Sequence, residues 1–327
     1  MVNIQQVAKE AGVSVATVSR VLHEPNVVTV KTKLKVEEAI QKLNYNPSML
    51  GRNLRKSESR LLLILIPDIS NPFYFDIIKG IESVFIRNHY NILLCETNSN
   101  PERENIYFDL IRAKMADGII SMDPAVNMEA LMDLAENYPV IQCSEYTDEG
   151  DIPYVTIDNE AASHRAVKHL IKIGNEKVAL INSNKKYLYT RQRKKGYQRA
   201  LEEQGISVRS EYIYHTDDLG FDYGQQTMKR ILKLTDPPTA IFTVSDLLAI
   251  GALKEIHAQG LHVPDDIAVI GFDKIDFSNM TNPALTTIAQ PMYKMGTIAA
   301  DMLIQKIKGE HVESIILDHE LVIREST

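Results

Sequence analysis

From Leu61 onward the chain alternates short aliphatic runs with amphipathic stretches, and this alternation restricts the fold more than any other feature. Aliphatic runs predict strands at 61–66, 91–95, 118–121 and 139–142, and Ile78, Ile81 and Phe85 mark the first intervening helix. A second cycle starts at KVALIN (177–182), continues through TAIFTV (239–244) and ends with IAVIGF (267–272). Such alternation implies parallel sheets with helices on both faces. Two cycles of similar size imply two doubly wound lobes. Ligands of such sheets bind where strands end at their carboxyl edge, which singles out residues 68–74, Asp123, Glu145, Ser245, Asp246 and Asp273. Ser245 or Asp246 also fits a helix N-cap.

The first 60 residues have a different texture. In QQVAKEAGVSVATVSRVL (5–22), Ile4, Val7, Ala8 and Ala11 form one apolar stripe and Val15, Val18 and Leu22 another, separated by Gly12-Val13-Ser14. Two short helices around a Gly-containing turn are the sequence form of a helix-turn-helix. Val36, Ala39, Ile40 and Leu43 predict a third helix, stopped by Asn44-Tyr45-Asn46-Pro47. The segment 47–60 is basic and thinly apolar, and it reads as a hinge between domains.

Charge follows the same division. Residues 1–60 carry 10 Lys and Arg against 5 Asp and Glu, a net +5, whereas the remainder carries 26 against 38, a net −12. A basic head on an acidic body is the distribution expected when only the head meets phosphate. The longest aliphatic run, LLLILI, has a buried strand's length and is far short of a membrane span. The opening MVNIQQVAKE turns polar at once, unlike a signal peptide, so a cytoplasmic location and no membrane partner are expected. Cys95 and Cys143 lie in apolar runs with no metal or redox spacing, as buried thiols do.

The stretches VAKEAGVSVATVSRVL, LNYNPSMLGRNL, PDISNPFY, TIDNEAAS, RKKGYQRAL, SDLLAIGAL, VPDDIAVIGFD and LTTIAQP resemble, in order and across essentially the whole chain, the LacI/GalR family of bacterial transcription regulators. Two further stretches, GRNLRKSESR and TIAQPMYKMG, look most like the family's cytidine-responsive regulator of nucleoside catabolism. The resemblance implies an α/β chain: a three-helix DNA-binding head (1–46), a hinge helix and linker (47–60), and a two-lobed regulatory domain of the periplasmic-binding-protein type (61–327). Its N-lobe is placed at about 61–160 and 291–322, and its C-lobe at about 161–290 and 323–327. The implied function is sequence-specific transcriptional regulation, as a repressor, with operator affinity set by a nucleoside or sugar bound between the lobes.

On this reading Ser14 caps the second helix, whose first turn faces the major groove. Val15 and Ala16 are suited to thymine methyl groups, Thr17 and Ser19 to base or phosphate, and Arg20 to guanine. The resemblance also implies that residues 48–56 form a hinge helix in the minor groove, with Leu54 wedged into a base step between Arg52 and Arg55. Gly51 departs from the family's usual alanine there, and costs such a helix roughly 1 kcal/mol. For the effector, the family pattern points to Phe73, Tyr74, Arg193 and Asp273. Leu219 stands where other members often carry an aromatic, with Phe221 nearby. A purely structural role for Phe73 is the alternative.

A hinge in one minor groove needs a twin, so a homodimer on a near-palindromic operator is expected, with 75–88 and 291–308 as candidate interface helices. No cofactor or metal is implied. The competing classes are an enzyme or a solute-binding protein on the same scaffold. The chain has no Walker loop, G-x-G-x-x-G or H-E-x-x-H. The basic head argues against a pure solute binder.

Overall fold

The computed structural model describes residues 2–23, 25–45, 58–123, 127–148 and 150–327. The chain divides into two units, Met1–Ser59 and Arg60–Thr327.

In the first unit, α1 (Ile4–Ala11), α2 (Val15–His23) and α3 (Val30–Lys42) close a small core of Val7, Ala8, Ala11, Val18, Val21, Val36 and Ala39. Local chemistry sets the helix ends. Asn3 and Gln6 exchange reciprocal bonds as a capping box at the start of α1. Gly12 ends it at φ +66°, a left-handed conformation open to glycine at no steric cost. Ser14 Oγ accepts the Thr17 amide at 3.1 Å and so caps α2. Thr29 caps α3, which stops at Lys42.

The second unit carries two six-stranded sheets. The first is built from β1 (Leu61–Ile66), β2 (Asn91–Glu96), β3 (Gly118–Ser121), β4 (Val140–Cys143), β5 (Tyr154–Ile157) and β11 (Ile315–Leu317). Its order is β11-β5-β4-β3-β1-β2, parallel throughout. The second sheet comprises β6 (Val178–Asn182), β7 (Ile213–His215), β8 (Ala240–Thr243), β9 (Ala268–Asp273), β10 (Thr286–Ala289) and β12 (Glu320–Val322). Its order is β12-β10-β9-β8-β6-β7, with only β12 antiparallel to its neighbour. β1, β3, β4, β6, β8 and β9 are almost wholly buried, as strands covered on both faces must be.

Helices α4 (Phe73–Arg87), α5 (Pro101–Arg112), α6 (Met128–Asn137) and α11 (Met292–Ile307) cover the first sheet. α7 (Asn159–Lys172), α8 (Leu188–Glu202), α9 (Phe221–Ile231) and α10 (Asp246–Ala258) cover the second. The α4–α11 crossing depends on close backbone approach. A Cβ on Gly296 would lie 2.0 Å from the Ile77 carbonyl, so any side chain there would push the helices apart.

The chain crosses between lobes three times: from β5 to α7, from β10 to α11, and from β11 to β12. The last crossing corrects the lobe division read from the sequence. Residues 320–322 pair with β10 in the second sheet, so the return falls between Leu317 and Glu320, not after 322. Strands β5, β7, β11 and β12 are not among the strands expected from sequence: each has only three or four residues, and apolar pieces that short, such as IIL in β11, do not stand out from their surroundings. β10 is buried, but through threonines. No helix among the described residues is long and apolar enough to cross a membrane.

Candidate functional site

The first candidate surface lies on α2. Ala16 and Arg20 are exposed and four residues apart, so they share one outward face. Thr17 is half-buried, with its hydroxyl 2.8 Å from that of Ser14. Val15 is also half-buried and packs against the head's core. Ser19 departs from the sequence reading, being only 9% exposed. The reason is helical periodicity: Ser19 is four residues from Val15 and three from Leu22, inside the apolar stripe rather than opposite it. Val21, not singled out beforehand, is buried too. Arg52, Leu54 and Arg55, with Gly51, lie outside the described residues.

The second is a cavity of about 140 Å³ between the lobes. It is lined by the loops that follow strand carboxyl ends: Pro67–Asn71 after β1, Ser144 and Glu145 after β4, Ser183 after β6, 217–220 after β7, and Asp273 at the end of β9. Of the residues expected from sequence, Phe73, Tyr74, Glu145, Arg193, Leu219 and Asp273 meet there. Asn71 turns the chain into α4, its side chain accepting the Phe73 amide at 3.0 Å. The rings of Phe73 and Tyr74 pack edge to face, with centroids 5.2 Å apart.

Arg193 sits on α8 and is 5% exposed. Its Nε donates to Asn159 Oδ1 at 2.9 Å and its Nη1 to the Val244 carbonyl at 2.6 Å. The guanidinium lies 3.6 Å from the Phe272 ring centroid and 4.7 Å from that of Tyr189. Burial lowers its pKa from the ordinary arginine value, opposed by the nearby Asp273 carboxylate. Asp273 in turn is pushed up to about 7 by burial, against the pull of Arg193 and of the Gln290 amide 2.8 Å away. Its backbone stands at φ +112°, a strained conformation for an L-residue and of the kind that clusters at ligand sites.

Glu145 is likewise pushed up to about 7 by burial, opposed by the Leu188 and Tyr189 amides it accepts at 2.6 and 3.3 Å. Asp123 and Asp246 are fully buried but do not line the cavity. Asp123 accepts from Thr97 and Ser99, and Ser99 in turn bonds the Tyr187 phenol, which does line it. Asp246 ties α10 to the Ile275 amide and the Thr287 hydroxyl. The N-cap of α10 is Ser245.

Tyr187 and Tyr189 were missed. Their rings stack at 5.5 Å between centroids and supply an aromatic wall on the second lobe that Leu219 lacks. The available signal was YLYTR (187–191), two tyrosines two positions apart that follow a predicted strand and precede Arg193. Among the described residues, no group of three or more His, Cys, Asp or Glu side chains could hold a metal ion.

Residues 3–48 match the model of bacterial regulatory proteins of the lacI family, and residues 59–325 that of periplasmic binding proteins and the sugar-binding domain of the LacI family. The chain is 38% identical to the HTH-type transcriptional repressor CytR of Escherichia coli (strain K12), over 99% of this chain and 96% of that protein. It is similar to the lac repressor dimer bound to operator and an anti-inducer, with a TM-score of 0.89 and 27% identity, covering 99% of this chain and 98% of that one. It is also similar to a LacI-family regulator from Enterococcus faecium with bound ribose, with a TM-score of 0.74 and 26% identity, covering 82% of this chain and 98% of that one. The two family matches follow one another along the chain, separated by residues 49–58, in the order of its helix-turn-helix head and two-lobed body, and the chain belongs to the LacI family of bacterial regulatory proteins.

Proposed function

We propose that the chain is a homodimeric, cytoplasmic transcriptional repressor whose grip on a near-palindromic operator is controlled by a nucleoside or sugar. The observation that carries this reading is the interlobe cavity in a chain with a LacI-type head. Aromatic faces from both lobes, Tyr74 on one side and Tyr187 and Tyr189 on the other, suit a planar base or the apolar face of a sugar. Asp273 is an acceptor for ligand hydroxyls, and Arg193 a donor beside it.

In the head, Ala16 and Arg20 read bases, Val15 adds apolar contact through its exposed part, and Ser14 and Thr17 fix the helix start on the backbone. Ser19 supports the head's packing. Arg52, Leu54 and Arg55 act in the minor groove from the hinge of 47–60, between a head of 1–46 and a body from 61. Exposed Phe75 and Tyr293, on α4 and α11, support pairing through those helices. A ligand that binds one lobe arrangement better shifts the population toward it, and the paired heads respond. The activity is binding rather than catalysis, in keeping with relatives that are regulators.

A thermal-shift series with cytidine, other nucleosides and ribose tests the effector class. Ligand at about 100 times its Kd adds roughly 2.7 kcal/mol of stability. A shift with a nucleoside or sugar supports the reading, and no shift with any of them overturns it.

A further inference from the structure

The first turn of α8 has no cap of its own. α5, α7 and α10 each begin with a side chain that accepts their first amides, from Asn100, Asp158 and Ser245. α8 begins after Tyr187, which makes no such bond. Its free amides are instead accepted by Glu145, from the other lobe, at 2.6 and 3.3 Å. A carboxylate at a helix N-terminus is favoured both by the unpaired donors and by the helix dipole.

Two further interlobe bonds converge on the same segment. The Tyr187 phenol meets Ser99, itself bonded to Asp123, and the Gln192 amide donates to the Tyr146 phenol at 2.9 Å. Two loops of the first lobe, one carrying Ser99 and the other Glu145 and Tyr146, thus hold one turn and a half of the second, ending one residue before Arg193.

We propose that Glu145 is a positioning residue that couples the lobes: by capping α8 from across the cleft it holds the lobe angle at which Tyr187, Tyr189 and Arg193 face the effector. This reassigns Glu145 from ligand contact to latch, and it rests on the effector-site reading above. Opening the lobes separates the carboxylate from the amides. Closing them without an acceptor strands two buried donors, which is the costly outcome.

Energy transfer between dyes on the two lobes tests this without any ligand. Glu129→Cys on α6 and Lys229→Cys on α9 supply exposed attachment points, and the native Cys95 and Cys143 are buried. Glu145→Ala is expected to raise the open-to-closed ratio by about tenfold or more, because the stranded donors penalise the closed form. Glu145→Gln, which keeps an acceptor, is expected to restore most of the closed population. Tyr146→Phe moves the ratio in the same direction as Glu145→Ala by a smaller step, and serves if the alanine variant does not fold. An unchanged distribution in the alanine and phenylalanine variants, or a glutamine variant no better than alanine, overturns the proposal. Such a failure leaves the effector reading standing. Absence of ligand binding with these shifts intact would overturn that reading and leave the latch.

Discussion

Glu104 is fully buried on α5, and neither carboxylate oxygen has a hydrogen-bond partner among the described residues. Burial, reinforced by the nearby Asp123, pushes its pKa from 4.5 up to about 8. The folded state therefore holds the proton over a window in which the unfolded chain has released it. Stability from this group is fully present below pH 4.5 and is lost as pH rises through about 8. Each pH unit between the two values is worth about 1.4 kcal/mol, so keeping Glu104 ionised costs the fold up to about 5 kcal/mol above pH 8.

Glu104→Gln removes the titration and changes little else in shape. Its stability should match wild type below pH 4.5, exceed it by about 1.4 kcal/mol more per unit from there to pH 8, and run parallel above that. Glu145 and Asp273, pushed up to about 7 by burial in both proteins, cancel in the difference, which reports Glu104 together with its coupling to Asp123. The chain has no Trp, so urea unfolding of the larger unit is followed by far-UV circular dichroism. A difference that stays constant from pH 5 to 9 would refute the reasoning.

Ser14→Ala removes the α2 cap and should destabilise the head by about 0.5–2 kcal/mol, read as a lower melting temperature of the first transition. Gly296→Ala should cost about 1–3 kcal/mol or more in thermal unfolding of the body, because its Cβ meets the Ile77 carbonyl. Asp273→Asn should weaken binding of the effector found by thermal shift by about tenfold or more in calorimetry, since a charge-assisted acceptor is lost. Arg20→Ala should cost about 1–3 kcal/mol at its contacted base pair and flatten sequence preference there in competition binding, whereas an unchanged preference would move recognition elsewhere.

Much of the fold was legible because its signals are local. LLLILI, KVALIN and IAVIGF form strands covered on both faces, and near-continuous apolar runs of this length are what buried parallel strands carry. Short strands at the sheet edges lack that signal, which is why the final lobe crossing was misplaced by a few residues. At the site, Tyr74, Arg193 and Asp273 were legible from strand-end position and family pattern. Tyr187 and Tyr189 were not, because their use depends on a lobe-to-lobe approach that no periodicity encodes. The same approach explains Glu145, whose partner lies 43 positions away in the other lobe, whereas Asp123 bonds Ser99, 24 positions away, within its own lobe. Ser19 was different: the stripe of Val15, Val18 and Leu22 already contained it.

The most direct test of the central claim is selection of the full-length protein on random duplex DNA, followed by anisotropy titration of the enriched sequence with and without cytidine, other nucleosides and ribose. A two-fold symmetric sequence whose affinity changes at least fivefold with one of these ligands is the expected result. No enriched sequence, or an affinity indifferent to all of them, would contradict the account of an effector-controlled repressor.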